Sequence, residues 1–379
     1  MEKVVRVGYN QKVEEVFTVK KQLDKIVLFY ENEIFNGIME MIYEDDSLFA
    51  AGRISDGLRE GEWRYFYKTG ELKVKEHYKY GLRSREYFEY YKNGNIETFG
   101  EFDLNLKTGN WKWYHENGSL RMEGAYYLDN SEGEYREYYV NGKVKCSVNY
   151  LNDMKHGKYI EYYENGNIKT KQNFIQGEAT GEAEYYYENG IIEFYGQYVN
   201  GKKNGIWVLN YDNGKMHRED NYSNGTREGE AKEYYKSGKL KSKAYYINNK
   251  QENNTYFYYE TGEIEGKETY KNGLLDGKSL RYDKSGELVS ETDYKNGLKN
   301  GIQIYYASKD IPLYYREYRN DRLHGKYIDY YETGKEKFIG NTINDQLEGE
   351  GLLYLPTGLL EAKMQFENDE VVDIEYINY

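Results

Sequence analysis

The sequence repeats with a period of 24 residues, and this period limits what the chain can fold into. Glycine recurs at multiples of 24, with Arg85 and Asn253 in two of its places. A second glycine column lies nine residues later and is broken by Asp310. No insertion or deletion interrupts the frame. Such a period is typical of arrays in which each repeat is one supersecondary unit stacked on its neighbours.

Two columns of turn residues divide each repeat. From Gly57 to Asp369, every 24th residue is Gly, Asn or Asp, the three types that best tolerate positive φ. Asn-Gly recurs at the second glycine column, as in Asn165-Gly166, and it is the strongest short-range hairpin signal when strand residues flank it. Two turns per repeat predict two strands per repeat.

The residues between the turns are typical of strands. The 379 residues include 48 Tyr and only 2 Pro. With the first motif glycine counted as position 0, position 5 is Tyr in eleven of thirteen repeats and position 17 is aromatic in twelve. Tyrosine and β-branched residues favour strand over helix. We therefore predict an all-β fold, an elongated single-layer twisted antiparallel sheet of 13 to 14 stacked β-hairpin repeats that forms a solenoid-like rod.

Because the period is even, equivalent residues of every repeat are expected on one face of the sheet. A two-residue Asn-Gly turn would pair position 6 with position 11 and place positions 2, 6, 11 and 17 on one apolar face. Tyrosines on that face are expected to pack across strands, since a one-layer sheet has no other core.

Position 5 would then point to the other face, beside the charged column at position 12. Tyrosine offers a rigid amphipathic contact at low entropy cost, so this row is our candidate binding site, with structural packing as the alternative. The row comprises Tyr90, Tyr114, Tyr138, Tyr162, Tyr186, Tyr234, Tyr258, Tyr282, Tyr306 and Tyr330.

The fit to the frame varies along the chain and suggests four segments. Residues 1–30 are predicted to be an N-terminal cap, residues 31–54 a degenerate first repeat, and residues 55–369 the repeat array. Residues 370–379 are predicted to form a C-terminal cap strand, because an open sheet edge needs pairing or protection.

The repeat unit, Gly-x-aromatic-x-x-Tyr-Tyr-x-x-Asn-Gly-x-Leu/Ile-Lys followed by Tyr-x-x-Gly, resembles the bacterial variant of the MORN repeat over residues 31–370. The related Lys-x-His-Gly motif is present at Lys155-His156-Gly157. The resemblance implies a row of β-hairpins that binds or scaffolds without enzymatic activity, and bacterial members are often antitoxin-like. Arg85, Asn253 and Asp310 depart from the motif glycines, so turn geometry is in question there.

The residues that carry chemistry are few and scattered. Cys146 is the single cysteine, which excludes an internal disulfide and a cysteine-based zinc site. The five histidines have no spacing that suits a pair of metal ligands. We find no phosphate-binding loop and no kinase motif. We expect no cofactor, no metal and no enzymatic activity; an enzyme with its site in the irregular N-terminal segment is the alternative.

Charge narrows the class of partner. The chain has 52 Lys and Arg against 65 Asp and Glu, a formal charge of −13. This balance disfavours nucleic acid and anionic lipid, and it speeds encounter with a basic protein. Our leading hypothesis is a non-enzymatic protein-binding repeat protein, antitoxin-like, immunity-like or a scaffold, whose partner is a basic protein such as a toxin.

Two other functions compete with this hypothesis. One is a membrane-surface or cell-envelope module that recognises lipid headgroups or wall polymers. The other is a choline-type wall-binding array, which needs Trp in every repeat, whereas this chain has four. Its apolar runs are too short for a membrane span, and Met1–Asn10 has no apolar signal region, so we expect a cytoplasmic protein.

Overall fold

The computed structural model describes residues 3–8, 11–22 and 25–378, which fall into two compact units, Met1–Gly190 and Ile191–Tyr379. In these ranges strands predominate, and the helical segment is one turn, α1, at Val13–Val16. No described helix has the length and apolar character that crossing a membrane requires.

The first unit begins with four short strands: β1 Val4–Gly8, β2 Thr18–Gln22, β3 Lys25–Tyr30 and β4 Glu33–Ile34. The repeat strands of this unit are β5 Gly37–Ile42, β6 Leu48–Ser55, β7 Leu58–Phe66, β8 Leu72–Lys79, β9 Leu82–Tyr90, β10 Ile96–Asp103, β11 Leu106–Tyr114, β12 Leu120–Tyr127, β13 Asn130–Tyr138, β14 Val144–Leu151, β15 Met154–Tyr162, β16 Ile168–Ile175 and β17 Glu178–Tyr186.

The second unit contains β18 Ile192–Val199, β19 Lys202–Asn210, β20 Met216–Ser223, β21 Thr226–Tyr234, β22 Leu240–Ile247, β23 Lys250–Tyr258, β24 Ile264–Lys271, β25 Leu274–Tyr282, β26 Leu288–Lys295, β27 Leu298–Ser308, β28 Ile311–Arg319, β29 Arg322–Tyr330, β30 Glu336–Ile343, β31 Gln346–Leu347, β32 Gly349–Tyr354, β33 Leu360–Glu367 and β34 Glu370–Tyr376.

Within each unit, consecutive repeat strands pair antiparallel, as β15 does with β14 and β16. The exception is β1, which pairs parallel with β5. The prediction of an all-β array of antiparallel hairpins with a 24-residue period is confirmed.

The column from Gly57 to Asp369 forms the tight turns predicted for it. Each of these residues has positive φ, and so does the residue before it, as at Asn248 (φ 50°) and Asn249 (φ 65°). Positive φ at both central residues defines a two-residue type I′ loop, whose twist matches that of the flanking strands. We call these connections the I′ turns.

The Asn-Gly turn differs from the prediction. Tyr163 N–H donates to the carbonyl of Asn167 at 2.8 Å, and Gly166 N–H donates to the carbonyl of Tyr163 at 2.9 Å. The loop therefore has three residues, with Gly166 at φ 99°, which is a type I turn followed by a glycine bulge.

The longer loop changes the register. Position 5 pairs with position 11, as Tyr162 does with Ile168, while Glu161 pairs with Thr170 and leaves Lys169 in a bulge. The predicted pairing of position 6 with position 11 is therefore wrong. Residues directly opposite each other in an antiparallel pair share a face, so position 11 lies with position 5 and not on the predicted apolar face.

The residues that replace the motif glycines keep positive φ. Arg85 has φ 63°, Asn253 has φ 61° and Asp310 has φ 62°, all in the left-handed region that the motif glycines occupy. Asparagine and aspartate tolerate this region, whereas a long side chain on a β-carbon is strained there.

Replacing Arg85 by glycine is expected to stabilise the first unit by about 1 kcal/mol. The left-handed conformation costs arginine about 1–2 kcal/mol, and part of the relief is offset by the greater chain entropy that glycine has when unfolded. Thermal and urea unfolding followed by circular dichroism measure the change. Arg85→Asn should give a smaller gain in the same direction, and a loss of stability in both variants would contradict the argument.

The N-terminal segment packs on the first repeats. Phe17, Leu28 and Phe35 are buried in one cluster with Met39 and Trp63. Residues 1, 2, 9, 10, 23 and 24 of the predicted N-terminal cap, and Tyr379 of the predicted C-terminal cap strand, lie outside the described residues. At the other end of the chain, β34 pairs with β33, and all seven of its residues are exposed.

Candidate binding surface

The register divides the side chains of each repeat between two faces. Positions 2, 4, 6, 12, 13, 15 and 17 form what we call the aromatic face. In the repeat that begins at Gly157, Lys169 contacts Glu161 at 2.8 Å and lies 5.9 Å from the ring centroid of Tyr163. Positions 1, 3, 5, 11, 14 and 16 form the charged face. Position 12 therefore lies beside position 6, and its predicted place beside position 5 is wrong.

The aromatic face packs into a core of its own. Trp111 and Trp207 are each 2% exposed. The Trp207 ring lies 4.6 Å from that of Phe194 and 4.9 Å from that of Tyr198, and its Nε1 donates to the carbonyl of Gln197. The ring also lies directly on Gly196, where a β-carbon would come within 2.3 Å of it. Gly52, Gly100 and Gly124 lie in the same way beneath Trp63, Trp111 and Tyr135.

Cations cover this aromatic core. The ammonium of Lys203 lies 4.3 Å from the ring centroid of Phe194 and 4.5 Å from that of Trp207, and burial lowers the pKa of Lys203. The corresponding residues of other repeats, at position 22, do the same. They are Arg59, Arg83, Lys107, Lys155, Arg227 and Lys299.

Tyrosine hydroxyls at position 6 connect neighbouring repeats. Tyr139 donates to the carbonyl of Tyr162 at 2.7 Å, and Tyr163 donates to the carbonyl of Tyr186 at 2.6 Å. The same bond recurs from Tyr67, Tyr91, Tyr211, Tyr235, Tyr259 and Tyr331. These tyrosines are structural, because each hydroxyl is occupied by the backbone of the next repeat.

The ten predicted site tyrosines at position 5 all lie half-buried on the charged face. Each described pairing places position 11 opposite them, for example Leu120 opposite Tyr114 and Val144 opposite Tyr138. The residues opposite them are mostly aliphatic, although Tyr330 lies opposite Glu336. Burial, followed by a hydrogen bond to Glu123, raises the pKa of Tyr138.

The charges of this face pair with one another across strands. Lys232 contacts Glu219 at 3.2 Å and Glu230 at 2.9 Å, and Lys243 also contacts Glu230. These hydrogen bonds to carboxylates raise the pKa of Lys232. Lys171 connects to Glu184 at 3.1 Å and to the hydroxyl of Tyr186 at 2.9 Å. Such partly exposed pairs contribute little stability.

Two features of the surface escaped the sequence reasoning. The glycines at position 15 carry a signal, because Gly52, Gly100 and Gly196 each precede a tryptophan by eleven residues. The covering cations carry another, because Arg59, Lys107, Lys155 and Lys203 are each separated by 48 residues. Both were visible as columns of the same 24-residue frame.

The thiol of Cys146 donates to a carboxylate oxygen of Glu137, with 3.7 Å between Sγ and Oε2. Burial, then the charge of Glu137, raises the pKa of Cys146, which is the opposite of what a reactive thiolate needs. In the described ranges, no three residues among His, Cys, Asp and Glu are placed to hold a metal ion.

No curated protein matches the sequence. Among solved structures, the match to a chain in the crystal structure of TcdB2-TccC3-TEV covers 92% of this protein and 22% of the matched chain. The two are 10% identical in sequence, and the TM-score is 0.16. The match to a chain of a Photorhabdus luminescens Tc holotoxin pore covers 92% of this protein and 25% of the matched chain, at 9% identity and with a TM-score of 0.14. The chain spans about a quarter of their length, and TM-scores this low carry no argument.

The family comparison is specific. The MORN repeat variant model matches nine segments that together make up more than half of the chain. They are residues 59–80, 107–129, 131–152, 155–176, 179–200, 203–224, 227–248, 251–272 and 275–296. Each segment begins two residues after one I′ turn and ends within the next I′ turn, so the match follows the hairpin frame of the structure. The chain belongs to the MORN repeat variant family.

Proposed function

We propose that this chain is a non-enzymatic binding protein, antitoxin-like, immunity-like or a scaffold, whose charged face holds a basic protein partner. The observation that carries the proposal is the half-buried tyrosine row at position 5. A binding role is what MORN repeats suggest; the class of partner and the face are our inference.

The charged face suits a partner better than the aromatic face does. On the aromatic face, Trp111 and Trp207 are buried beneath Lys107 and Lys203, so binding there would have to displace cations from rings. On the charged face, the position 5 tyrosines keep part of each ring accessible. Tyrosine anchors of this kind dominate the binding energy of many protein interfaces.

Net charge supports a basic partner. The chain carries a formal charge of −13, and a negative field speeds the encounter with a positive protein and weakens with added salt. Several lysines of the charged face are paired with carboxylates, among them Lys171 with Glu184 and Lys278 with Glu291. A basic partner would compete for those carboxylates.

Capture of partners from the native host, followed by mass spectrometry, tests the proposal. At low salt the wild-type chain should retain one or a few basic proteins, and high salt should release them. The variant Tyr114→Ala/Tyr138→Ala/Tyr162→Ala should lose at least tenfold in retained partner, because each truncated anchor removes about 1 kcal/mol or more of binding. Tyr376→Ala, a 64% exposed tyrosine outside the row, is the matched control.

Two results would contradict the proposal. One is retention of the partner by a triple variant that remains folded by circular dichroism. The other is sedimentation of the chain with lipid vesicles or cell-wall fragments in place of any protein, which would favour the membrane-surface or cell-envelope alternative.

A further inference from the structure

Three consecutive I′ turns carry large apolar residues where the other I′ turns carry a polar residue, mostly asparagine. The first positive-φ residue of the I′ turn is Asn in nine repeats, but it is Tyr80, Leu104 and Leu128 in three successive ones. Their φ angles are 53°, 47° and 49°, in the left-handed region where a bulky side chain is strained.

These three residues gain no burial in return for the strain. Tyr80 is 60% exposed, Leu104 61% and Leu128 48%, and the neighbouring Tyr127 is 65% exposed. The disfavoured conformation costs stability, and an exposed apolar side chain gains no free energy of burial that would offset this cost. Strained residues of this kind persist where the surroundings hold them, and they concentrate at sites of function.

Hydrogen bonds fix the three turn tips in a row. Asn105 N–H donates to the carbonyl of Arg83 at 3.0 Å, and Asp129 N–H donates to the carbonyl of Lys107 at 3.0 Å. The side chain of Asp129 accepts in return from Lys107 N–H at 2.6 Å. Each turn is thus tied to the hairpin before it. Successive tips are two strands apart, which is about 9–10 Å.

This spacing matches an α-helix. Two helical turns, or seven residues at 1.5 Å each, advance about 10.5 Å. A helix lying along the row could therefore place one apolar residue against each tip. An extended strand advances about 3.3 Å per residue and alternates its side chains, so every third residue would meet the tips from alternating faces.

The charges around the row select a basic helix. Asp103 and Asp129 are exposed beside Leu104 and Leu128. The nearest cations on the following strands, Arg83 and Lys107, are turned onto aromatic rings of the aromatic face. Lys79 lies beside Tyr80, with its ammonium 5.6 Å from the ring centroid. Because Lys79 would repel a cation there, we expect the positive charges of the partner to lie near the two leucines and their aspartates.

We propose that the tips at Tyr80, Leu104 and Leu128 are a second interaction surface, which binds a basic amphipathic helix with apolar residues seven positions apart. This surface is separate from the tyrosine row of the proposed function and does not depend on it.

The test uses the whole chain and two synthetic helical peptides rich in lysine and alanine. One carries leucines seven residues apart, and in the other those leucines are alanines. By fluorescence anisotropy the leucine peptide should bind the wild-type chain at least tenfold more tightly. Leu104→Asn/Leu128→Asn should abolish this preference while raising the Tm by about 2–4 °C, because asparagine relieves the strain.

Controls separate this surface from the rest of the molecule. Leu274→Asn removes another exposed leucine, 49% exposed, which directly follows the I′ turn at Asn272 and Gly273, and should keep the preference for the leucine peptide. The triple tyrosine variant of the previous section should keep it as well. Equal affinity of the two peptides for the wild-type chain, or an unchanged preference in the more stable double variant, would overturn the proposal.

Discussion

Replacing Gly196 by alanine should destabilise the second unit by about 3 kcal/mol. A β-carbon at this position would lie 2.3 Å from Cδ2 and 2.5 Å from Cε2 of Trp207. The indole cannot move aside easily, because rings of Phe194 and Tyr198 hold it and its Nε1 donates to the backbone. Overpacking a rigid core typically costs 1–3 kcal/mol, and the displaced ring adds lost contacts.

A double-mutant cycle isolates the cause. Trp207→Ala alone should cost about 3–5 kcal/mol, but Gly196→Ala added to it should cost nothing, because the clash is gone. Urea unfolding followed by far-UV circular dichroism gives the same readout for all variants. If Gly196→Ala costs as much without the indole as with it, the close approach is not the reason for the glycine.

Gly205→Ala is the matched control for backbone effects. Gly205 lies in the same unit at φ 74°, and a β-carbon there would meet nothing within 4 Å. Its replacement should lower the free energy of unfolding by only about 1 kcal/mol, which is the cost of holding alanine in the left-handed conformation. A cost as large as that of Gly196→Ala would show that chain stiffness, and not packing, dominates in this array.

The strand content and the I′ turns were predictable because they depend on local chemistry. The 24-residue frame and a column of Gly, Asn and Asp determine where the chain reverses, and an even period keeps each column on one face. The Asn-Gly turn was not predictable in the same way. Asn165-Gly166 suits a two-residue loop and a three-residue loop with a glycine bulge equally, since both need positive φ at glycine.

That one-residue difference explains which positions were assigned to the right face. Position 5 lies in the strand before the loop, so Tyr162 and its equivalents fall on the charged face as predicted. Positions 11 and 12 lie after the loop. Position 11 was predicted on the apolar face but lies with position 5, and position 12 was predicted beside position 5 but lies on the aromatic face. The cations over the aromatic face form a column that the frame shows, but their role was missed because the contact of Lys203 with Phe194 on the preceding strand depends on the register.

The array is expected to unfold between pH 10 and pH 12 together with the ionisation of its tyrosines. Burial, followed by a hydrogen bond to Glu291, raises the pKa of Tyr306 to about 12, and burial and Glu317 raise that of Tyr315 to about 12. Burial also raises the pKa of other tyrosines, among them Tyr65, Tyr87, Tyr159 and Tyr270. Absorbance at 295 nm and far-UV circular dichroism should therefore change in one transition for these residues.

The sign follows from the charge of each form. Tyrosine is neutral when protonated, and burial disfavours the anion, so the folded pKa exceeds the unfolded value of about 10. The stability that these tyrosines contribute is complete below pH 10 and is lost as the pH rises through the folded pKa. Ionisation of all tyrosines before any loss of ellipticity would contradict this coupling.

Tyr306→Phe should make the coupling visible at one residue. At pH 7 the variant loses the hydrogen bond from the Tyr306 hydroxyl to Glu291, 3.0 Å long, and should be less stable by about 1 kcal/mol. Above pH 10 the tyrosine of the unfolded wild-type chain ionises more readily than the half-buried tyrosine of the folded chain, which lowers the free energy of unfolding of the wild type. Phenylalanine does not ionise, so the variant has no such loss. The gap in urea-unfolding stability should therefore narrow from pH 10 to pH 12. Tyr376→Phe, on the exposed strand β34, should leave stability unchanged at both pH values, and a constant gap for Tyr306→Phe would mean that its hydroxyl is not titrating with the fold.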